Sequence, residues 1–267
     1  MRAKKRLGQH FLPHPALLER IADALLARPG DAVLEIGPGR GALTAVLLAR
    51  SLAVAAIEKD PDLVPALRDR FPGLRLVEGD ALKEDWRAVA GVGPAEPLLV
   101  VGNIPYNITS PLLDKALEPP RPVRIVFLVQ REVADRLAAA PGTGEYGSLT
   151  VGVRSVADVE RLFTVPAGAF VPPPRVDSAG VRITPRAAPL VSAGHAAAYR
   201  RFVVALFGAR RKQLARGLRT AAGLSPVRAR AALARAGVAP AARPETLPPA
   251  EFAALFHAVV DESGGGA

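Results

Sequence analysis

Residues 32–41, Ala32-Val33-Leu34-Glu35-Ile36-Gly37-Pro38-Gly39-Arg40-Gly41, decide the fold. A short apolar run with a single acid in it reads as a strand buried on both faces. The three glycines that follow form a turn into a helical stretch, Ala42–Arg50. Such a strand-to-helix turn lets the backbone approach a ligand closely and aims helix N–H groups at it. Outward from this point the same rhythm repeats. Helical spacing precedes it at 15–27, with Pro15 at the start and Pro29-Gly30 after the end. Strands are predicted at 53–57, 74–77, 98–101 and 123–129, and helices at 61–70, 111–117 and 132–139. The expectation is an α/β fold: a parallel sheet covered by helices on both faces.

After Gly147 the rhythm changes. Residues 148–156, 159–165 and 179–183 look strand-like with no helix between them, which predicts an antiparallel extension at the sheet edge. Residues 184–194 read as a linker, and helical patterns follow at about 196–208, 210–218, 225–236 and 249–260. The expected division is a first domain over 1–185, with a basic arm at 1–12, and a small all-helical domain over 186–267 with a frayed tail at 263–267.

The chain has 267 residues, a mass of 27.9 kDa and a net charge of +10. Residues 186–267 hold 12 basic and 4 acidic side chains, the first ten residues carry +4, and the stretch between nets −2. Two basic ends around a near-neutral body suit a polyanionic partner, because each neutralised phosphate releases counterions. With no cysteine, disulfides, thiolate metal sites and cysteine nucleophiles are excluded. Four scattered histidines predict no metal site. No apolar run is long enough to span a membrane, and the basic N-terminus leads into no signal core. A cytoplasmic protein with no membrane association is expected, and nothing in the sequence asks for more than a monomer.

The ends of successive strands carry the chemistry. Glu58 closes the second strand, 19 residues after Gly39, where a carboxylate can accept both hydroxyls of a ribose. Asp80, in Gly79-Asp80-Ala81 after the third, can accept from an adenine amino group. Glycine turn, Glu and Asp together describe a pocket for an adenosine-containing cofactor. A dinucleotide oxidoreductase would share these features but needs a substrate acid or base that is not evident. The fourth strand ends in Gly102-Asn103-Ile104-Pro105-Tyr106-Asn107, which holds both asparagines of the chain. An adenine amine is a poor nucleophile because its lone pair is delocalised into the ring. The Asn103 oxygen and the Ile104 or Pro105 carbonyl could each accept one of its N–H groups, favouring a more pyramidal nitrogen during attack. Pro105 stiffens the turn, and Tyr106 offers a stacking face.

These motifs resemble those of class I S-adenosylmethionine-dependent methyltransferases, with their Rossmann-like sheet, and specifically the ribosomal RNA adenine N6,N6-dimethyltransferases. The similarity extends over nearly the whole chain: Lys5–Leu12, Val129–Leu137, Tyr146–Leu149, Phe170–Ser178 and Phe207–Leu214 match as well. It is nearest to the KsgA (RsmA) type, which acts on small-subunit (16S) rRNA. The resemblance implies S-adenosylmethionine as cofactor, with Gly37 along its methionine and ribose, Glu58 on the ribose, Asp80 on the adenine, and Gln9–Leu12, including His10 and Leu12, folded over it. It implies that Asn103, which also borders the cofactor, accepts from the target amine, and that Tyr106 and Phe170 sandwich the target base. The expected partners are small-subunit rRNA and the immature small ribosomal subunit. One position departs from the family: His10 stands where Asn is usual. Arg200, Arg201, Arg210, Arg211, Lys212, Arg216 and Arg219 are candidate phosphate contacts. A macrolide-resistance type of large-subunit rRNA methyltransferase, an assembly factor that uses the pocket as a checkpoint, and an adenine-specific DNA methyltransferase remain alternatives.

Overall fold

The computed structural model describes residues 4, 7–209 and 212–264. The chain runs α1 (Pro15–Ala24), β1 (Ala32–Ile36), α2 (Ala42–Ala49), β2 (Ala53–Glu58), α3 (Val64–Arg70), β3 (Arg75–Glu78), α4 (Trp86–Ala90), β4 (Leu99–Asn103), α5 (Thr109–Ala116), β5 (Arg124–Gln130) and α6 (Arg131–Ala138). It continues with α7 (Ser148–Arg154), β6 (Ala157–Val165), β7 (Ser178–Pro185), α8 (Ala196–Gly208), α9 (Leu214–Ala221), α10 (Pro226–Arg235) and α11 (Pro249–Gly264). The strands form one seven-stranded sheet in the order β3-β2-β1-β4-β5-β7-β6. The β1–β2, β1–β4, β2–β3 and β4–β5 pairs are parallel and β5–β7 is antiparallel.

The central parallel strands β1, β4 and β5 are sealed from water, as their near-continuous apolar sequence requires, whereas the edge strand β3 is part exposed. Val33, Leu34, Val100, Val101, Val126 and Phe127 are fully buried. Register decides what this sheet can do. Ile36 pairs with Ile57, Glu58 with Glu78, and Asn103 with Leu128, so the carboxyl ends of β1 to β4 finish along one edge. The strand order reverses between β1 and β4, and a ligand crevice forms outside the carboxyl ends at such a switch point. Gly102 is required by this packing: a Cβ there would lie 2.6 Å from the Ile36 carbonyl oxygen.

Two compact units are present, 1–134 with 159–185, and 135–158 with 186–267. The single boundary that the sequence suggests falls where the chain re-enters the second unit; residues 135–158 form an earlier excursion into it. That excursion also holds a change of element type: the pattern over 148–156 predicts a strand, and Ser148–Arg154 is helix α7. A short apolar run does not reveal its period, and side-chain bonding settles it here. Thr150 Oγ1 donates to the Arg136 carbonyl at 2.6 Å and accepts from the Gly147 amide at 3.2 Å. Within this unit Tyr146 and Val151 pack among Tyr199, Phe202, Leu214, Leu233 and Phe252. The Tyr146 hydroxyl donates to the Leu247 carbonyl at 2.5 Å. The helix expected over 210–218 is α9, shifted to begin at Leu214; Arg210 and Arg211 lie outside the described residues, as do the arm residues 1–3, 5 and 6 and the last three of the tail. Among the described residues no helix is long and apolar enough to cross a membrane.

Candidate active site

A cavity of about 280 Å³ opens at the switch point. His10, Leu12, Gly37, Glu58, Asp80, Asn103, Pro105 and Tyr106 all line it. Phe170 does not: it is 2% exposed and packs in the core with Leu12, Leu18 and Phe163. Its neighbour Val171 reaches the cavity instead.

The glycine turn is held by the acid at the end of β2. Gly39 adopts φ +60°, and its amide donates to Glu58 Oε2 at 2.9 Å. Glu58 Oε1 accepts from the Asp60 amide at 2.8 Å. With about four lone-pair sites, the carboxylate can accept from these backbone amides and still from a ligand. Burial pushes the Glu58 carboxyl up, and the amide hydrogen bonds oppose that rise. Asp80 sits lower than an ordinary carboxylate because Lys59 Nζ donates to its Oδ2 at 2.7 Å. Glu35 is a third acid at the cavity, buried within β1. Burial, with the nearby Glu58 charge, raises it to about 7, while the Thr44 hydroxyl, donating at 2.6 Å, pulls the other way.

An adenosine sulfonium fits this donor set. A Cβ placed on Gly37, at φ +67°, would meet no atom within 4 Å, which leaves open space where the backbone turns beneath a ligand. Three carboxyl groups border the cavity and suit a ligand that is cationic and rich in hydroxyl and amino donors.

At the end of β4, Asn103 Nδ2 donates to the His10 carbonyl at 2.8 Å. A carbonyl only accepts, so the amide is oriented with Oδ1 as its free end. Pro105 (φ −56°, ψ 131°) leads into a short 3₁₀ turn over Tyr106–Ile108, and its carbonyl accepts from the Ile108 amide at 3.1 Å and from the Thr109 hydroxyl at 3.5 Å. The Tyr106 hydroxyl and Ser178 Oγ are 2.7 Å apart, and burial holds the phenol above its usual range.

Residues 7–13 of the N-terminal arm line the cavity, and the arm has an anchor the sequence did not reveal. Asp60 is nearly fully buried and takes Lys4 Nζ at 2.5 Å and Gln9 Nε2 at 2.7 Å. Burial alone would raise this carboxyl, and the Lys4 and Gln9 hydrogen bonds together hold it below the usual range. Phe11 and Val171 exchange two backbone hydrogen bonds, of 3.1 and 2.8 Å. Nothing in the sequence marks Asp60 as a clasp. Glu35 was detectable as the one acid inside an apolar strand.

The family model described as "Ribosomal RNA adenine dimethylase" matches residues 1–261. "Ribosomal RNA small subunit methyltransferase A" of Anaeromyxobacter sp. (strain K) is 47% identical over 264 residues, covering 96% of this chain and 93% of that protein. The protein of the same name from Geobacter metallireducens is 43% identical over 270 residues, covering 99% and 98%. Among solved structures, a dimethyladenosine transferase from Plasmodium falciparum superposes with a TM-score of 0.78 at 25% identity, covering 95% of this chain and 98% of that one. The 23S rRNA methyltransferase ErmE gives 0.72 at 32% identity, covering 94% and 99%.

Proposed function

The chain belongs to the ribosomal RNA adenine dimethylase family, and from that premise we propose that it transfers methyl groups from S-adenosylmethionine to the N6 amines of two adjacent adenosines near the 3′ end of small-subunit rRNA. It thereby makes N6,N6-dimethyladenosine in the cytoplasm during assembly of the small subunit. We take the substrate to be the immature small ribosomal subunit and the enzyme to act as a monomer. The observation that carries the reading is Asn103, a residue of the cavity wall whose Nδ2 is held by the His10 carbonyl, so that its oxygen takes the opposite side of the amide. The relatives named for the small subunit are 43–47% identical, against 32% for the large-subunit enzyme ErmE, which favours the small-subunit substrate.

Gly37, Glu58 and Asp80 would hold the cofactor, and its bound sulfonium supplies an activated methyl group that needs no protein acid. The residues of the chain position the acceptor. The target adenine leaves its stack, or is presented unpaired, to reach the cavity. Asn103 Oδ1 accepts one amine N–H, and the Ile104 or Pro105 carbonyl accepts the other. Both bonds strengthen as the nitrogen pyramidalises and gains positive charge, so they stabilise the transition state more than the bound base. The methylated nitrogen then loses a proton to water, and no strong base is required. One N–H remains, so a rotated amine can return for a second methyl. In the second unit the exposed Arg200, Arg201, Lys212, Arg216 and Arg219 would hold RNA phosphates.

The test is nucleoside mass measurement of RNA after reaction with S-adenosylmethionine, comparing immature small subunits, naked small-subunit rRNA, large-subunit rRNA and DNA. Dimethyladenosine in small-subunit RNA is the expected product. Cofactor binding without methylation of any RNA would instead support the assembly-factor reading.

A further inference from the structure

His10 stands at the junction of three contacts. Its carbonyl fixes the Asn103 amide at 2.8 Å. Its imidazole stacks on Tyr106, with ring centroids 5.7 Å apart and an interplanar angle of 25°. Its Nδ1 lies 2.8 Å from the Pro172 carbonyl and therefore carries the hydrogen. The arm on either side is tied down, by Phe11 to Val171 and by Gln9 to Asp60. The ring is thus immobilised at the cavity wall.

A flat base between two rings needs about 7 Å from ring to ring, two layers of van der Waals contact. The gap between His10 and Tyr106 is too narrow for one, and Phe170 presents no face to the cavity. The stacking surface offered beside the Asn103 oxygen is the ring pair itself.

We propose that His10 is a binding residue for the acceptor base: the target adenine stacks on the joined His10–Tyr106 wall, beside the Asn103 oxygen that the His10 carbonyl orients. The proposal rests on the methyl-transfer reading above. Stacking accepts any base. Selection for an exocyclic amine comes from the amide oxygen, whose direction the same residue sets. One position of the arm therefore supplies both the surface and the orientation.

The test compares His10→Ala and His10→Phe with the wild type on immature small subunits, with KM for the RNA substrate, kcat and cofactor Kd measured separately. The backbone carbonyl survives both changes, so Asn103 stays oriented and only the ring is tested. His10→Ala should raise KM for the RNA substrate about tenfold or more, in keeping with the cost of losing one stacked base. His10→Phe should stay within about threefold of wild type, and the cofactor Kd of both within about twofold. The proposal is overturned if His10→Ala keeps a wild-type KM, if Phe fails to rescue, or if the loss follows a weakened cofactor Kd. A gain of activity in His10→Ala also overturns it, since His10 would then be a plug. If the wild type itself makes no dimethyladenosine, the underlying reading fails; the other outcomes concern His10 alone.

Discussion

Replacing Asn103 by alanine separates chemistry from cofactor binding. Among the described residues the side chain makes one hydrogen bond, Nδ2 to the His10 carbonyl at 2.8 Å. Losing such a bond costs about 0.5–1.5 kcal/mol of stability. For a chain of this size that lowers Tm by about 1–6 °C, so the variant should fold. The loss in the transition state is larger. A fixed acceptor or donor aimed at developing charge in a dry site is worth about 10²–10³ in rate. Asn103→Ala should therefore reduce single-turnover methyl transfer by about two to three orders of magnitude. Glu58 and Asp80 are untouched, so cofactor Kd should stay within about threefold. Rapid-quench transfer of labelled methyl to small-subunit RNA, paired with calorimetric titration of the cofactor, measures both. A transfer rate within tenfold of wild type, or a cofactor Kd weakened in step with the rate, would refute the assignment.

Four further outcomes follow from named side chains. Glu58→Ala should weaken cofactor binding by about tenfold or more while kcat at saturating cofactor changes little, because the Gly39 turn loses its anchor; calorimetry with saturation kinetics decides. Glu35 carries a raised carboxyl, at about 7 in the folded chain, so its contribution to stability is present at low pH and is lost as pH rises from about 4.5 through about 7. Glu35→Gln removes that loss, so its Tm relative to wild type should be higher at about pH 8 than at about pH 5; an offset independent of pH would contradict the assignment. Asp60→Ala should free the arm and speed hydrogen exchange at the Phe11 and Val171 amides by about tenfold, with core amides of β4 unchanged. Reversing the charges of Lys212, Arg216 and Arg219 should flatten the dependence of RNA binding on salt by about 0.7–0.9 in log–log slope for each phosphate no longer neutralised, read from binding titrations at several salt concentrations.

Strand and helix identity was legible for most elements that are sealed from water on both sides or long enough to show their period. The run Ala32–Ile36 and helix α8 at Ala196–Gly208 fall where the pattern puts them. Ser148–Arg154 was not legible, because seven residues of mixed apolar character fit either period. Its helical state follows from Thr150 and Tyr146 bonding to chain segments remote in sequence.

What the sequence determined alone is which polar groups stand at the strand ends. Gly37, Glu58, Asp80 and Asn103 each follow a readable strand, and parallel pairing must bring such ends to one edge. What only the tertiary structure decided is how the arm closes over them. The clasp of Lys4 and Gln9 on Asp60, the stacking of His10 on Tyr106 and the burial of Phe170 join residues from about 50 to 160 positions apart. Local periodicity reports which face of an element meets the core; it holds no record of which distant side chain arrives there, because that depends on how the whole sheet and its connections pack.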